Sequence, residues 1–121
     1  MLAYVASSLD NRENVAEVIR ILEQHDIHIT YKWHEHGRID NISILPEIAK
    51  KEFDGVKDAD FLLFLMPARM GSHIEFGIAL ALNKPIYIIT ADQSFEEKSF
   101  YHLPQIGRYS NVYQLLEKIV I

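Results

Sequence analysis

The run "DFLLFLM", residues 60–66, is the most apolar stretch of the chain. Its length suits a strand, and its residues do not alternate between apolar and polar, so both of its faces must be covered. Such a strand belongs at the centre of a parallel sheet with helices packed on either side.

Working outward, "LAYVA" (2–6) and "PIYIIT" (85–90) read as further buried strands, and "IHITY" (27–31) as another. Helical patterns separate them. Val15, Val18, Ile19 and Leu22 recur at helical spacing, with Arg12, Glu13, Glu17 and Arg20 left for the opposite face. Pro46 suits an early helical position, and Ile48, Glu52 and Val56 follow at steps of four, which predicts a second helix over residues 44–57. "RMGSHIEFGIAL" (69–80) runs from a loop into a third helix that stops near Asn83, before Pro85. Val112, Leu115, Leu116 and Ile119 predict a terminal helix, "FYHL" (100–103) a short fifth strand, and the polar, acidic segment from Ala91 to Ser99 a mobile loop. The alternation predicts a flavodoxin-like α/β fold: a three-layer sandwich around a mainly parallel sheet of five strands in the order 2-1-3-4-5. In such a sheet the ligand crevice opens at the carboxyl ends of strands one and three, where "SSLDNR" and "PARMGSH" meet.

At 121 residues the chain forms one domain, residues 1–121, with no linker inside it. A net charge of −5, with Lys and Arg scattered, argues against a nucleic-acid polymer as partner. The absence of cysteine removes disulfides, thiolate catalysis and cysteine metal sites. "MLAYVASSLD" has no basic segment before its short apolar run, and no stretch approaches ~18 continuous apolar residues, so a soluble cytoplasmic protein with no membrane contact is expected.

Glu75 is the only charged side chain between Ile74 and Leu82. Two explanations are open. Ser72 and Glu75 have the S-x-x-E spacing of a capping box, which needs no ligand. Alternatively the helix start faces the crevice, and a carboxylate kept in an otherwise apolar helix serves chemistry there.

Four fragments now carry a resemblance. "AYVASS" at the first strand, "NREN" opening helix one, "EFDGVKDAD" before strand three and "GSHIEFGIAL" after it resemble the nucleoside 2-deoxyribosyltransferase superfamily, in the right order. The most specific element is G-x-x-x-E-x-G-x-A, here Gly71, Glu75, Gly77 and Ala79. The resemblance implies cleavage or transfer at the N-glycosidic bond of a nucleoside or nucleoside 5′-monophosphate, with Glu75 attacking the anomeric carbon as a retaining glycosidase nucleophile does. It also implies that Tyr4 orients that carboxylate and that Glu52, eight residues before Asp60 where the family usually has Asp, contacts sugar or base. Taken alone, Tyr4 reads equally as a core aromatic, and Glu52 as a solvated carboxylate beside Lys50 and Lys51.

The chain departs from the family at one place. The transferases carry an acid in the loop before the nucleophile, whereas "PARMGSH" has none and offers Arg69 and His73 instead. Arg69, the amides near Gly71 and Ser72, and the hydroxyls of Ser7 and Ser8 together suit a phosphate; Arg12 is a further candidate. No cofactor or metal is required, and a homo-oligomer is expected. The missing acid keeps a rival open, a nucleotide-binding module without turnover, and a larger N-glycoside such as nicotinamide adenine dinucleotide is an alternative substrate.

Other uses of the fold fit less well. A phosphoreceiver needs acids where the chain reads "ASS" and "MPA", "SSLDNR" lacks the glycine of a flavin phosphate loop, and neither a Rossmann nor a P-loop fingerprint is present. His25, His28, His34 and His36 lack the H-E-x-x-H spacing of a zinc site. Trp33 is expected to plug the sheet edge, with base stacking as the alternative.

Overall fold

The computed structural model describes residues 1–91 and 99–119. Its five strands are β1 (Leu2–Ala6), β2 (His28–Ile29), β3 (Phe61–Leu65), β4 (Ile86–Ile89) and β5 (Ile106–Tyr109). All pairings are parallel, in the order β2-β1-β3-β4-β5. The helices are α1 (Arg12–Gln24), α2 (Leu45–Asp58), α3 (Met70–Ala81) and α4 (Val112–Ile119). Right-handed crossovers in this strand order put α2 and α3 together on one face of the sheet and α1 and α4 on the other. The three-layer α/β expectation therefore holds. Among the described residues no helix is long and apolar enough to cross a membrane.

The "DFLLFLM" run is β3, and all five of its strand residues are buried. Its alternate side chains serve opposite layers. Phe64, beside Ala6 and Ile88 in the sheet, points to the α3 face, where its ring packs edge-on against Phe76, His73 and Tyr101. Phe61 faces the other layer and meets Tyr87. Full burial of one such ring is worth about 1.5–3 kcal/mol, which explains why this strand tolerates no polar residue.

The sheet ends differently from expectation at both edges. "IHITY" pairs over only His28 and Ile29: the Thr30 amide still donates to the Ala3 carbonyl at 3.0 Å, but its hydroxyl donates to the Gly55 carbonyl at 2.8 Å and Tyr31 packs on α2. "FYHL" is not a strand: Ser99–His102 is a 3-10 turn, and β5 begins at Ile106. Tyr101 explains the difference, since it is buried against Phe64 and Phe76 as a plug over the α3 face, a place strand pairing would deny it. The mobile-loop expectation for Ala91 to Ser99 falls on residues 92–98, which lie outside the described residues.

The start of α3 also corrects the sequence reading. The helix begins at Met70, with Arg69 as its N-cap, and Ser72 is the third helical residue. Ser72 Oγ accepts the Arg69 amide and donates to the Arg69 carbonyl, both at 2.8 Å. Ser72, not Glu75, therefore reaches back to the cap, and Glu75 is left free of the helix start. At the other end Asn83 takes a left-handed conformation, φ 58°, which closes the helix before Pro85.

Candidate active site

Tyr4 sits mid-strand in β1 with its side chain directed under α2 and α3. It is fully buried, and its hydroxyl donates a hydrogen bond to Glu75 Oε2. Glycine at position 55 makes this possible. A Cβ there would lie 2.9 Å from the Tyr4 ring and 3.1 Å from Tyr31 Cβ, so α2 can approach β1 this closely only without a side chain.

Glu75 is 6% exposed. Burial, reinforced by the neighbouring Glu52 carboxyl, pushes it up to about 9, and the Tyr4 hydroxyl bond draws it only partly back. Burial and the Glu75 carboxyl in turn hold the Tyr4 phenol well above its ordinary value, so it stays a donor. Glu52 reaches this pair from α2, where the steps of four from Ile48 to Val56 place it on the inward side. Two carboxyls and a phenol thus meet at one place, where burial and the second carboxyl favour the protonated form of Glu75.

Glu75 and Glu52 line a hollow of about 260 Å³ at the carboxyl end of the sheet, together with Ser7, Trp33, Gly71 and Ser72. This is the predicted crevice between strands one and three. The β1–α1 turn is tied to the β3–α3 loop around it. Asn11 Nδ2 donates to Ser7 Oγ at 3.0 Å and to the Met66 carbonyl at 3.3 Å, Ser7 Oγ donates to the Pro67 carbonyl at 3.2 Å, and the Ser8 amide donates to the same oxygen at 3.3 Å. Trp33 is nearly buried, its indole N–H donating to the Val5 carbonyl at 2.7 Å, and one side of the ring is left as wall to the hollow. Sheet plug and pocket wall are therefore the same residue.

The remaining expected residues lie elsewhere. Arg69 points outward and pairs with Asp10 at 2.7 Å, both largely exposed. His73 turns to the far side of α3, where its ring bonds the Arg69 carbonyl at 2.7 Å and the Tyr101 hydroxyl at 2.6 Å. Neither lines the hollow. Ser8 is buried beneath the turn, and Arg12 borders a neighbouring hollow at the start of α1. Asp60 lies at the opposite end of the sheet, where it accepts the Leu2 amide at 2.7 Å. Among the described residues no group of three His, Asp or Glu side chains is arranged to hold a metal.

Sequence reasoning missed Asn11, Gly55 and the segment His36–Ile39, which forms one wall of the hollow. Gly55 interrupts a helical pattern, and that interruption was a usable sign of close approach.

The comparisons agree with this fold. The fold matches the structure of Clostridium botulinum CMP N-glycosidase, BcmB, at a TM-score of 0.68 and 18% identity, covering 100% of both chains. It also matches a conserved protein from Enterococcus faecalis V583 at a TM-score of 0.72 and 20% identity, covering 98% of this chain and 96% of that one. No curated protein matches the chain. The family model described as nucleoside 2-deoxyribosyltransferase matches residues 3–105. The chain belongs to the nucleoside 2-deoxyribosyltransferase family, whose chemistry is cleavage or transfer at an N-glycosidic bond.

Proposed function

We propose that the protein cleaves the N-glycosidic bond of a nucleoside 5′-monophosphate, with Glu75 as nucleophile. The observation that carries this reading is the Tyr4–Glu75–Glu52 cluster at the floor of the crevice. Family membership supports the reaction class, and the hollow leaves the Glu75 and Glu52 carboxyls open to a ligand from outside.

The proton that burial keeps on Glu75 can stand in for the absent loop acid. On substrate binding it passes to Glu52 and from there to the leaving base. Glu75, now ionised and held by Tyr4, bonds to C1′ as the C1′–N bond breaks and its electron pair leaves on the base. Water then attacks C1′, its proton goes to Glu52, and the sugar phosphate is released with Glu75 restored. Transfer uses the same intermediate, with a second base in place of water.

Further support comes from α3 for a homo-oligomer: Met70 is 80% and Ile74 60% exposed on a helix otherwise rich in apolar residues.

The test is incubation with a panel of nucleoside 5′-monophosphates, CMP among them, and the matching nucleosides and deoxynucleosides, followed by chromatography for free base. Release that is abolished in Glu75→Ala supports the reading. Tight nucleotide binding without release, acceptor bases included, makes the protein a binding module instead.

A further inference from the structure

The hollow over Glu75 is acidic at its floor and basic at its rim. Arg38 lines it together with the two carboxyls and also borders a second hollow, shared with Leu9, Asp10, Arg12 and Glu13 at the start of α1. Leu9 and Arg38 are common to both, so the two spaces adjoin. The loop and the helix touch where they meet. Gly37 is left-handed, φ +63°, and a Cβ on it would stand 2.8 Å from Arg12 Nη1, which places the Arg12 guanidinium against the loop backbone.

The charges around these spaces leave the two arginines available. Asp10 is engaged by Arg69 at 2.7 Å. Arg38 faces only Asp40, at 3.6 Å, with both side chains at least 85% exposed, an arrangement of little strength. Arg12 has no ion pair among the described residues. Among the described residues, Glu13 is the one carboxylate of the second hollow without an ion pair. The serine loop, by contrast, is already occupied: the Ser7 hydroxyl lies between Asn11 and the Pro67 carbonyl, and the Ser8 amide is given to that carbonyl. A phosphate entering between the two hollows finds charged donors on the guanidiniums, and the N-terminal end of the thirteen-residue helix α1 adds favourable charge beside them.

We propose that Arg38, with Arg12 beside it, is the anion subsite of this pocket and grips the 5′-phosphate of a nucleotide whose anomeric carbon lies over Glu75. The assignment rests on the catalytic reading above for the identity of the rest of the ligand. It makes Arg38 the residue that distinguishes a nucleotide from a nucleoside, a part that Arg69, held by Asp10, and the Ser7 hydroxyl, held between Asn11 and Pro67, are not free to take.

The experiment has two arms. In the first, Arg38→Gln, Arg12→Gln and Arg38→Lys are assayed with the four common ribonucleoside 5′-monophosphates and with their nucleosides. The expected result for Arg38→Gln is a KM for the monophosphate raised about tenfold or more, with the nucleoside value changed less than about twofold and Arg38→Lys intermediate. Equal effects on both substrates, no effect on either, or cleavage of nucleosides alone by the unaltered protein overturns the subsite. The second arm does not need turnover. Inorganic phosphate is titrated into 15N-labelled protein while the Arg38 Nε–H resonance, identified by its loss in Arg38→Gln, is followed. A saturable shift supports the subsite, and a resonance that stays fixed overturns it. If no nucleotide or nucleoside releases base, the catalytic reading fails separately and this titration alone decides the anion site.

Discussion

Tyr4 and Glu75, seventy-one residues apart, meet inside the fold through a phenol-to-carboxylate hydrogen bond that joins the central part of β1 to the second turn of α3. Because the bond favours the ionised carboxylate while burial opposes it, Tyr4 acts on the reactivity of Glu75 as well as on its position.

Tyr4→Phe is expected to lower kcat about 10- to 100-fold, since a hydrogen bond to a charged group contributes roughly 1.5–3 kcal/mol. KM should change little. The alkaline limb of the pH–rate profile should move upward, because the one interaction that draws Glu75 down is gone and the proton the reaction uses is then kept to higher pH. An unchanged profile with lower kcat would make Tyr4 a packing residue only.

Stability should fall as pH rises. Glu75 in the native state keeps its proton up to about 9, while in the unfolded chain it loses it in the ordinary carboxyl range near 4.5. Between those values the native state binds more protons than the unfolded one, so the free energy of unfolding declines with pH across that window. Glu75→Gln should flatten this slope and stabilise the fold at pH 8. Urea titrations at several pH values, on both proteins, measure it directly.

Much of this arrangement was legible in the sequence. The unbroken apolar run of β3, the helical spacings and the strand–helix alternation were enough for the sheet order, and G-x-x-x-E-x-G-x-A singled out Glu75. What escaped depends on contacts that local pattern does not carry. Tyr101 looks like strand sequence until Phe64 and Phe76 are seen beneath it. Arg69 looks like a phosphate ligand until Asp10, fifty-nine positions away, claims its guanidinium. Ser72 was read as the cap itself, one turn too late, because serine suits either end of a capping box.

Gly55→Ala should destabilise the protein by about 1–2 kcal/mol, even though alanine favours a helix over glycine by roughly 1 kcal/mol. The added methyl would press on a fully buried ring that is also held at its hydroxyl, so neither partner yields easily. Loss of activity should exceed what the loss of stability explains. A thermal melt read beside single-turnover kinetics separates the two.

Trp33, the only tryptophan, should report ligand binding by a change in fluorescence emission, because its ring is shielded by the sheet on one side and faces the hollow on the other. Titration with a nucleoside monophosphate, checked against calorimetry, tests this. A calorimetric binding isotherm with constant emission would put the ligand elsewhere.

Since Ser72 and His73 close the start of α3, the fold asks nothing of Glu75 at that helix end. The proposed nucleophile and the scaffold are therefore separable. Replacing the carboxylate with an amide should leave an intact, silent receptor that holds its natural ligand instead of consuming it, a bait with which that ligand can be drawn from a mixture of metabolites and identified.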